Sequence, residues 1–188
     1  MIVVSQYKHH ELTEDQVKAI VSLTNMIWPN KDKSLAELIA DASKRREENT
    51  HNLLNNRTTH FVIWEGEKAI AHSRTFPRTI FTENGPLEVM ALASVCVLPE
   101  KRGKDFGKAV VENAFEQINR GEFSVSLFQT GVPKFYEKLG CRGVSNSFFN
   151  SQNRDNPNAN PFWDVTIMIY PAAFNWPSGK IDLNGPGY

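Results

Sequence analysis

One stretch of this chain has the residue types and spacing to hold a phosphate. It reads Val95-Cys96-Val97-Leu98-Pro99-Glu100-Lys101-Arg102-Gly103-Lys104-Asp105-Phe106-Gly107-Lys108-Ala109. Pro99 ends the apolar strand before it, because proline has no N–H to give to a ladder. A basic, glycine-punctuated turn then feeds a helix. Helix N-termini carry unpaired N–H groups and partial positive charge, and together these bind phosphate. Gly103 and Gly107 let backbone approach an anion closely, while Arg102, Lys104 and Lys108 add side-chain charge. The chemistry suits a pyrophosphate. The spacing excludes a Walker loop, since only three residues separate Gly103 from Gly107 and Ala109 stands where Ser or Thr is required. The dinucleotide fingerprint G-x-G-x-x-G is absent as well. Taken alone, the turn reads equally well as an ordinary basic connection between a strand and a helix.

A second element follows at residues 129–141, Gln129-Thr130-Gly131-Val132-Pro133-Lys134-Phe135-Tyr136-Glu137-Lys138-Leu139-Gly140-Cys141. Pro133 suits a first helical turn and Gly140 a helix end. Phe135 and Leu139 form an apolar pair four residues apart, with Tyr136 beside them. On residue type alone, Tyr136 reads as a partly buried core aromatic.

The elements that must position these groups can be placed coarsely. Thr13 and Gln16 have the spacing of a capping box, followed by an apolar stripe through Val17, Ile20, Val21 and Thr24. Residues 33–49 repeat a helical period through Leu35, Leu38, Ile39 and Ala42. A third helix carries Val110, Val111, Ala114, Phe115 and Ile118 and stops at Gly121. Strands are expected at 59–64 and 68–75, joined by Glu65-Gly66-Glu67, and at 87–98, 123–128 and 162–170. Residues 145–160 read as a polar surface loop, and the tail from Ile181 as turn-rich with apolar groups that could dock. The order of helices and strands suggests a mixed sheet with helices on both faces.

Composition narrows the classes of partner. The 188 residues hold 21 Lys plus Arg and 21 Asp plus Glu, a formal net charge of zero. That balance gives no global pull toward nucleic acid or an anionic membrane. Cys96 and Cys141 are the only cysteines and lack metal-type spacing, so buried free thiols in a reducing cytoplasm are expected, with no metal. No apolar run is long enough for a signal peptide or a membrane span, and a soluble cytoplasmic protein is the expectation.

Together, the two elements resemble the GCN5-related N-acetyltransferase superfamily. Its motif runs from a hydrophobic strand through V-x-P-x-x-R-G-x-G-x-G into a helix. Val97, Pro99, Arg102, Gly103 and Gly107 match it, while Asp105 replaces the middle glycine. Phe135-Tyr136-Glu137-Lys138-Leu139-Gly140 matches the family's second element, with Val132 for the usual alanine and Cys141 for the usual phenylalanine. The resemblance implies an α/β fold with a mixed, mostly antiparallel sheet of about seven strands, in one domain over 1–188. The coenzyme half would span roughly 87–143. It implies acetyl-CoA as cosubstrate, with the amides of 102–108, Phe106 among them, around the pyrophosphate. Val95, Cys96 and Val97 would lie along the pantetheine arm, with Gln129 in the place of a coenzyme-contacting asparagine. Tyr136 would be the general acid, and Glu88, the carboxylate on the fourth strand, the first candidate for base ahead of His72 and Ser94. The acceptor would be a small-molecule primary amine. The closing Gly-Pro-Gly-Tyr188 is faintly similar to aminoglycoside 2'-N-acetyltransferases, which adds aminoglycosides to the candidate acceptors. Another acyl-CoA, a non-catalytic coenzyme-binding role and a homodimer remain open.

Overall fold

The structure, a computed structural model, describes residues 2–48 and 57–188. The chain forms two compact units, Met1–Phe76 with Ala93–Ala114 and Pro77–Leu92 with Phe115–Tyr188. Each is described separately below. The class is mixed α/β with mostly antiparallel strands.

In the first unit, strand β1 (Ser5–Lys8) pairs antiparallel with β2 (Thr59–Glu65), which pairs antiparallel with the opening part of β3 (Lys68–Thr82). Glu65 pairs with Lys68, so Gly66 and Glu67 alone make the β2–β3 turn, and Gly66 takes the positive φ of 61° that such turns need. The end of β4 (Gly85–Val97) also belongs here. Helix α1 (Glu14–Ile27) starts with the expected box: Thr13 N–H donates to Gln16 Oε1 at 2.9 Å and Gln16 N–H to Thr13 Oγ1 at 3.2 Å. Helix α2 (Leu35–Glu48) has a similar device at Ser34 and Glu37, which the sequence reading did not single out. Helix α3 (Phe106–Asn119) leaves the phosphate-type turn and buries Val110, Val111 and Ala114. Its tether is Ser73, whose Oγ donates to the Val110 carbonyl at 3.0 Å.

In the second unit, the first part of β4 pairs parallel with β5 (Ser126–Thr130), through Met90 opposite Ser126 and Ala91 opposite Leu127. Strand β8 (Thr166–Tyr170) pairs antiparallel with β5 and with the short β6 (Arg142–Val144). Strands β7 (Ser147–Phe149) and β9 (Lys180–Asp182) pair in parallel, and β9 meets β3 at Phe81 and Asp182. Helix α4 (Pro133–Glu137) has Pro133 in its first turn, as expected. A core of Ile80, Val89, Leu127, Ile169, Ile181 and Leu183 is sealed from solvent.

Among the described residues nine strands are present, where about seven are expected. Among the unexpected ones, β7 lies in the polar loop and β9 at the tail. Each is three residues long, too short for an alternation of side chains to be read. The tail does dock: Ile181 and Leu183 are fully buried, and the Tyr188 hydroxyl donates to the Leu127 carbonyl at 3.0 Å.

Candidate active site

The phosphate-type turn lies wholly in the first unit. A 3-10 turn at Pro99–Lys101 follows β4, anchored by Leu98 N–H to the Ile70 carbonyl at 2.9 Å and by the Lys101–Glu65 ion pair. Arg102 is exposed, its Nε donating to the Val97 carbonyl at 3.3 Å. Gly103 and Asp105 both adopt left-handed backbone, with φ of 75° and 59°. Open space surrounds the position of a Cβ on Gly103, so its glycine answers to backbone conformation and not to crowding. Asp105 is a non-glycine residue that visits this region with less penalty than most. Its carbonyl accepts from Ala109 N–H at 2.9 Å, which makes Asp105 the entry residue of α3.

Those two left-handed residues turn successive amides outward. Among the described residues, the N–H groups of 103–108 meet no acceptor. Alternating left- and right-handed backbone makes an anion-binding nest, here continuous with a 14-residue helix N-terminus. Lys104 and Lys108 are exposed beside it; Lys108 reaches Glu112 at 3.8 Å, while Lys104 makes no ion pair among the described residues. Phe106 and Gly107 are half-buried where the helix begins, and Val95 and Val97 are half-buried with Cys96 buried between them. Burial pushes the Cys96 thiol up to about 12, so this cysteine is inert as a nucleophile at neutral pH.

Ser94, just before that segment, has a φ of 53° inside β4. Its carbonyl accepts from His72 Nδ1 at 3.2 Å. His72 Nε2 lies 3.0 Å from His60 Nδ1, and His60 Nε2 lies 2.9 Å from His9 Nδ1. A carbonyl can only accept, so His72 carries its proton on Nδ1, and the same logic passes outward to His60 and His9. The result is three neutral rings whose donors all point toward Ser94. Burial, aided by the Arg74 charge, lowers His72 to about 3. His9 falls to about 4, by burial first and then by Arg74, Arg45 and Arg46. The structure thus joins the two lesser base candidates, with the His72 Nδ1–H donating to the Ser94 carbonyl.

The second element lies in the other unit. Tyr136 is buried on α4, with its ring 4.7 Å from Phe128 and 4.8 Å from Phe135 by centroid. Desolvation, then the Cys141 and Asp164 charges, raises its pKa, so the phenol keeps its proton well above neutral pH. Gln129 is bonded through both ends of its side-chain amide. Its Nε2 donates to the Tyr188 carbonyl at 2.8 Å, and its Oε1 accepts from the N–H groups of Trp163 and Asp164, both at 2.9 Å. These bonds tie Gln129 to the Tyr188 and 163–164 backbone and leave its second Nε2 N–H without a protein acceptor among the described residues. Tyr188 is likewise a packing residue, against Phe162 at 5.7 Å and under the Arg78 guanidinium at 5.4 Å. Glu88 is exposed on the first part of β4, in the second unit, and the phosphate-type turn is in the first.

His9, His60 and Arg74 have no place in the sequence reading. The signal lies in register: His60 faces Arg74 across β2 and β3, and His72 falls on the same face two residues earlier. Among the described residues no group of three or more His, Cys, Asp or Glu is placed to hold a metal ion. Among them, too, no helix is long and apolar enough to cross a membrane.

The acetyltransferase (GNAT) domain model matches residues 8–144, well over half of the chain. The chain belongs to the GNAT acetyltransferase family. No curated protein matches it. Among solved structures, glucosamine-6-phosphate N-acetyltransferase from Arabidopsis thaliana superposes with a TM-score of 0.58 at 22% identity, over 76% of this chain and 94% of that one. Escherichia coli ElaA gives 0.57 at 17% identity, over 90% and 99%. A GCN5-related N-acetyltransferase from Kribbella flavida gives 0.56 at 16% identity, over 76% of this chain. The GNAT chain here spans 33% of the length of that protein. At these identities the likeness is one of fold.

Proposed function

We propose that this GNAT protein is a cytoplasmic N-acetyltransferase that moves the acetyl group of acetyl-CoA to a primary amine of a small molecule. The observation that carries the reading is the row of unpaired amides at 103–108, opened by Gly103 and Asp105 at the start of α3. An anion there can satisfy several N–H donors at once, and a pyrophosphate has the oxygens to do it. In this reading Arg102, Lys104 and Lys108 neutralise the coenzyme phosphates, and the β4 segment Val95, Cys96 and Val97 runs along the pantetheine arm.

The neutral amine attacks the thioester carbonyl, a C–N bond forms, and the C–S bond breaks. Tyr136 gives its phenolic proton to the departing sulfur, and burial ensures that the phenol carries that proton at neutral pH. The amine's surplus proton leaves to a base, for which Glu88 remains the first candidate. Release of free thiol, followed with acetyl-CoA over a panel of primary amines, tests the reaction. Amine-dependent thiol release supports it. Tight coenzyme binding with no release from any amine would instead leave a coenzyme-binding regulatory protein.

A further inference from the structure

Among the described residues, one face of the first unit gathers His60, His72 and Arg74, and no carboxylate pairs with that arginine. His60, His72 and Arg74 share that face of β2 and β3, while Ser73 on the other face reaches Val110 of α3. The Arg74 Nε is sealed from solvent and has no hydrogen-bond partner among the described residues. Its guanidinium carbon lies 5.5 Å from the centroid of the Phe76 ring, a neutral surface that offers no counter-charge. Arg45, exposed on α2, makes no ion pair or hydrogen bond among the described residues, yet its charge acts on both Arg74 and His9. Arg46 adds a further cation and donates to the Leu12 carbonyl at 3.1 Å. The carboxylates nearest to it, Glu14 at 3.7 Å and Glu47 at 3.9 Å, are both exposed and serve Arg46. Residues 49–56 contain no Asp or Glu, so that stretch cannot supply the missing charge either.

A sealed guanidinium N–H without an acceptor is costly, and an oxyanion bound beside it would supply that acceptor. We propose that Arg74 binds an anionic group on the acceptor amine, a carboxylate or a phosphate monoester. The planar fork of arginine suits both oxyanions, which it can hold through two parallel bonds. The linkage to the reacting end runs through His72, whose bond to Ser94 lies next to the β4 segment assigned to the pantetheine arm. Burial and neighbouring cations hold His9, His60 and His72 neutral, so the face meets the anion with arginine charge and with oriented imidazole dipoles. A purely cationic acceptor such as an aminoglycoside or a polyamine would be repelled there. This inference rests on the amine-acetylation reading for its substrate class, but its binding site can be tested without turnover.

The experiment has two arms. In the first, histidine ring resonances of the full chain are followed while inorganic phosphate or acetate is added at fixed ionic strength, without coenzyme. Saturable shifts at His60 and His72 are expected in the wild type, absent in Arg74→Met and partly restored in Arg74→Lys. If Arg74→Met does not fold, Arg74→Lys and Arg45→Met carry the test, and each should weaken the titration. No saturable shift, or one unchanged by these substitutions, overturns the proposal. In the second arm, acetylation of 4-aminobutyrate is compared with butylamine, and of 2-aminoethyl phosphate with ethanolamine. The anionic member of at least one pair should have a kcat/KM about 10- to 100-fold higher, as expected for a charge-assisted pair, and Arg74→Met should remove that preference. The pair that responds separates carboxylate from phosphate. Equal rates within both pairs, or a preference that survives Arg74→Met, overturns it. A coenzyme-binding failure with the anion titration intact would reject the acetyltransferase reading and leave the anion site standing.

Discussion

Two polar regions of this GNAT protein treat their hydrogen bonds in opposite ways. Around Gln129, in the second unit, both ends of a side-chain amide are paired, to Tyr188 on one side and to Trp163 and Asp164 on the other. Around Gly103–Lys108, in the first, a run of backbone donors meets no acceptor among the described residues. Buried or constrained polar groups normally find partners, so a satisfied set reads as architecture and an open set as a place for a ligand. The contrast reverses the weight that residue type alone would give. Gln129, expected beside the coenzyme, also serves as a strut, whereas Asp105, which breaks the glycine pattern, supplies left-handed backbone at the nest.

Variants can sharpen this contrast, and the largest effect is expected at Tyr136. Tyr136→Phe should lower kcat by about 10²- to 10³-fold, the range for loss of a general acid. Its coenzyme affinity, measured by calorimetry, should stay within about twofold of wild type on the same argument, since the phenol acts on the leaving sulfur. Unchanged turnover would remove Tyr136 from the chemistry.

The next effect is one of pH. His72 is fully buried, with a folded pKa of about 3 against an ordinary value of 6.5. Below pH 6.5 the unfolded chain takes up a proton that the folded ring refuses, so stability is intact above that pH and falls as pH drops toward 3. The slope for one such ring approaches about 1.4 kcal/mol per pH unit, or about 2 kcal/mol between pH 7 and 5. Urea unfolding at the two pH values should show the loss, and His72→Asn should flatten it by about that share. A variant as pH-sensitive as the wild type would contradict the neutral assignment.

A smaller effect tests the strut directly. Gln129→Met gives up three hydrogen bonds at a half-buried position and should cost about 1–3 kcal/mol in urea unfolding. The coenzyme dissociation constant should hold at temperatures where the variant is folded. Weakened coenzyme binding with stability preserved would return Gln129 to the binding site. The smallest effect is a gain. Asp105→Gly removes a carboxylate from the nest, so coenzyme affinity should rise by several fold, while the relieved left-handed backbone, worth about 1 kcal/mol, affects stability alone. Weaker binding would show that the Asp105 side chain takes part.

Much of the nest was legible in the sequence because its chemistry is local. Pro99 to end a strand, glycine and Asp105 for left-handed backbone, and a helix start all lie within ten residues. Helix α1 was equally legible, since Thr13 and Gln16 satisfy each other over one turn. The satisfied region was not, because Gln129 finds its partners 34, 35 and 59 residues away. The histidine chain was hidden for the same reason. His9 and His60 are 51 residues apart, and which of them meet depends on strand register, which one sequence does not print. Arg74 looked like an ordinary strand cation until its sealed and unpartnered Nε was visible.

The central claim, that the turn at 103–108 holds a pyrophosphate, is tested most directly by calorimetry of the wild-type chain with acetyl-CoA and with S-acetylpantetheine, which shares the thioester arm and lacks the pyrophosphate. Acetyl-CoA should bind one to one, and the truncated compound about 100-fold or more weaker, as loss of several charge-assisted hydrogen bonds requires. Equal affinity for the two compounds, or no binding of acetyl-CoA, would contradict the claim.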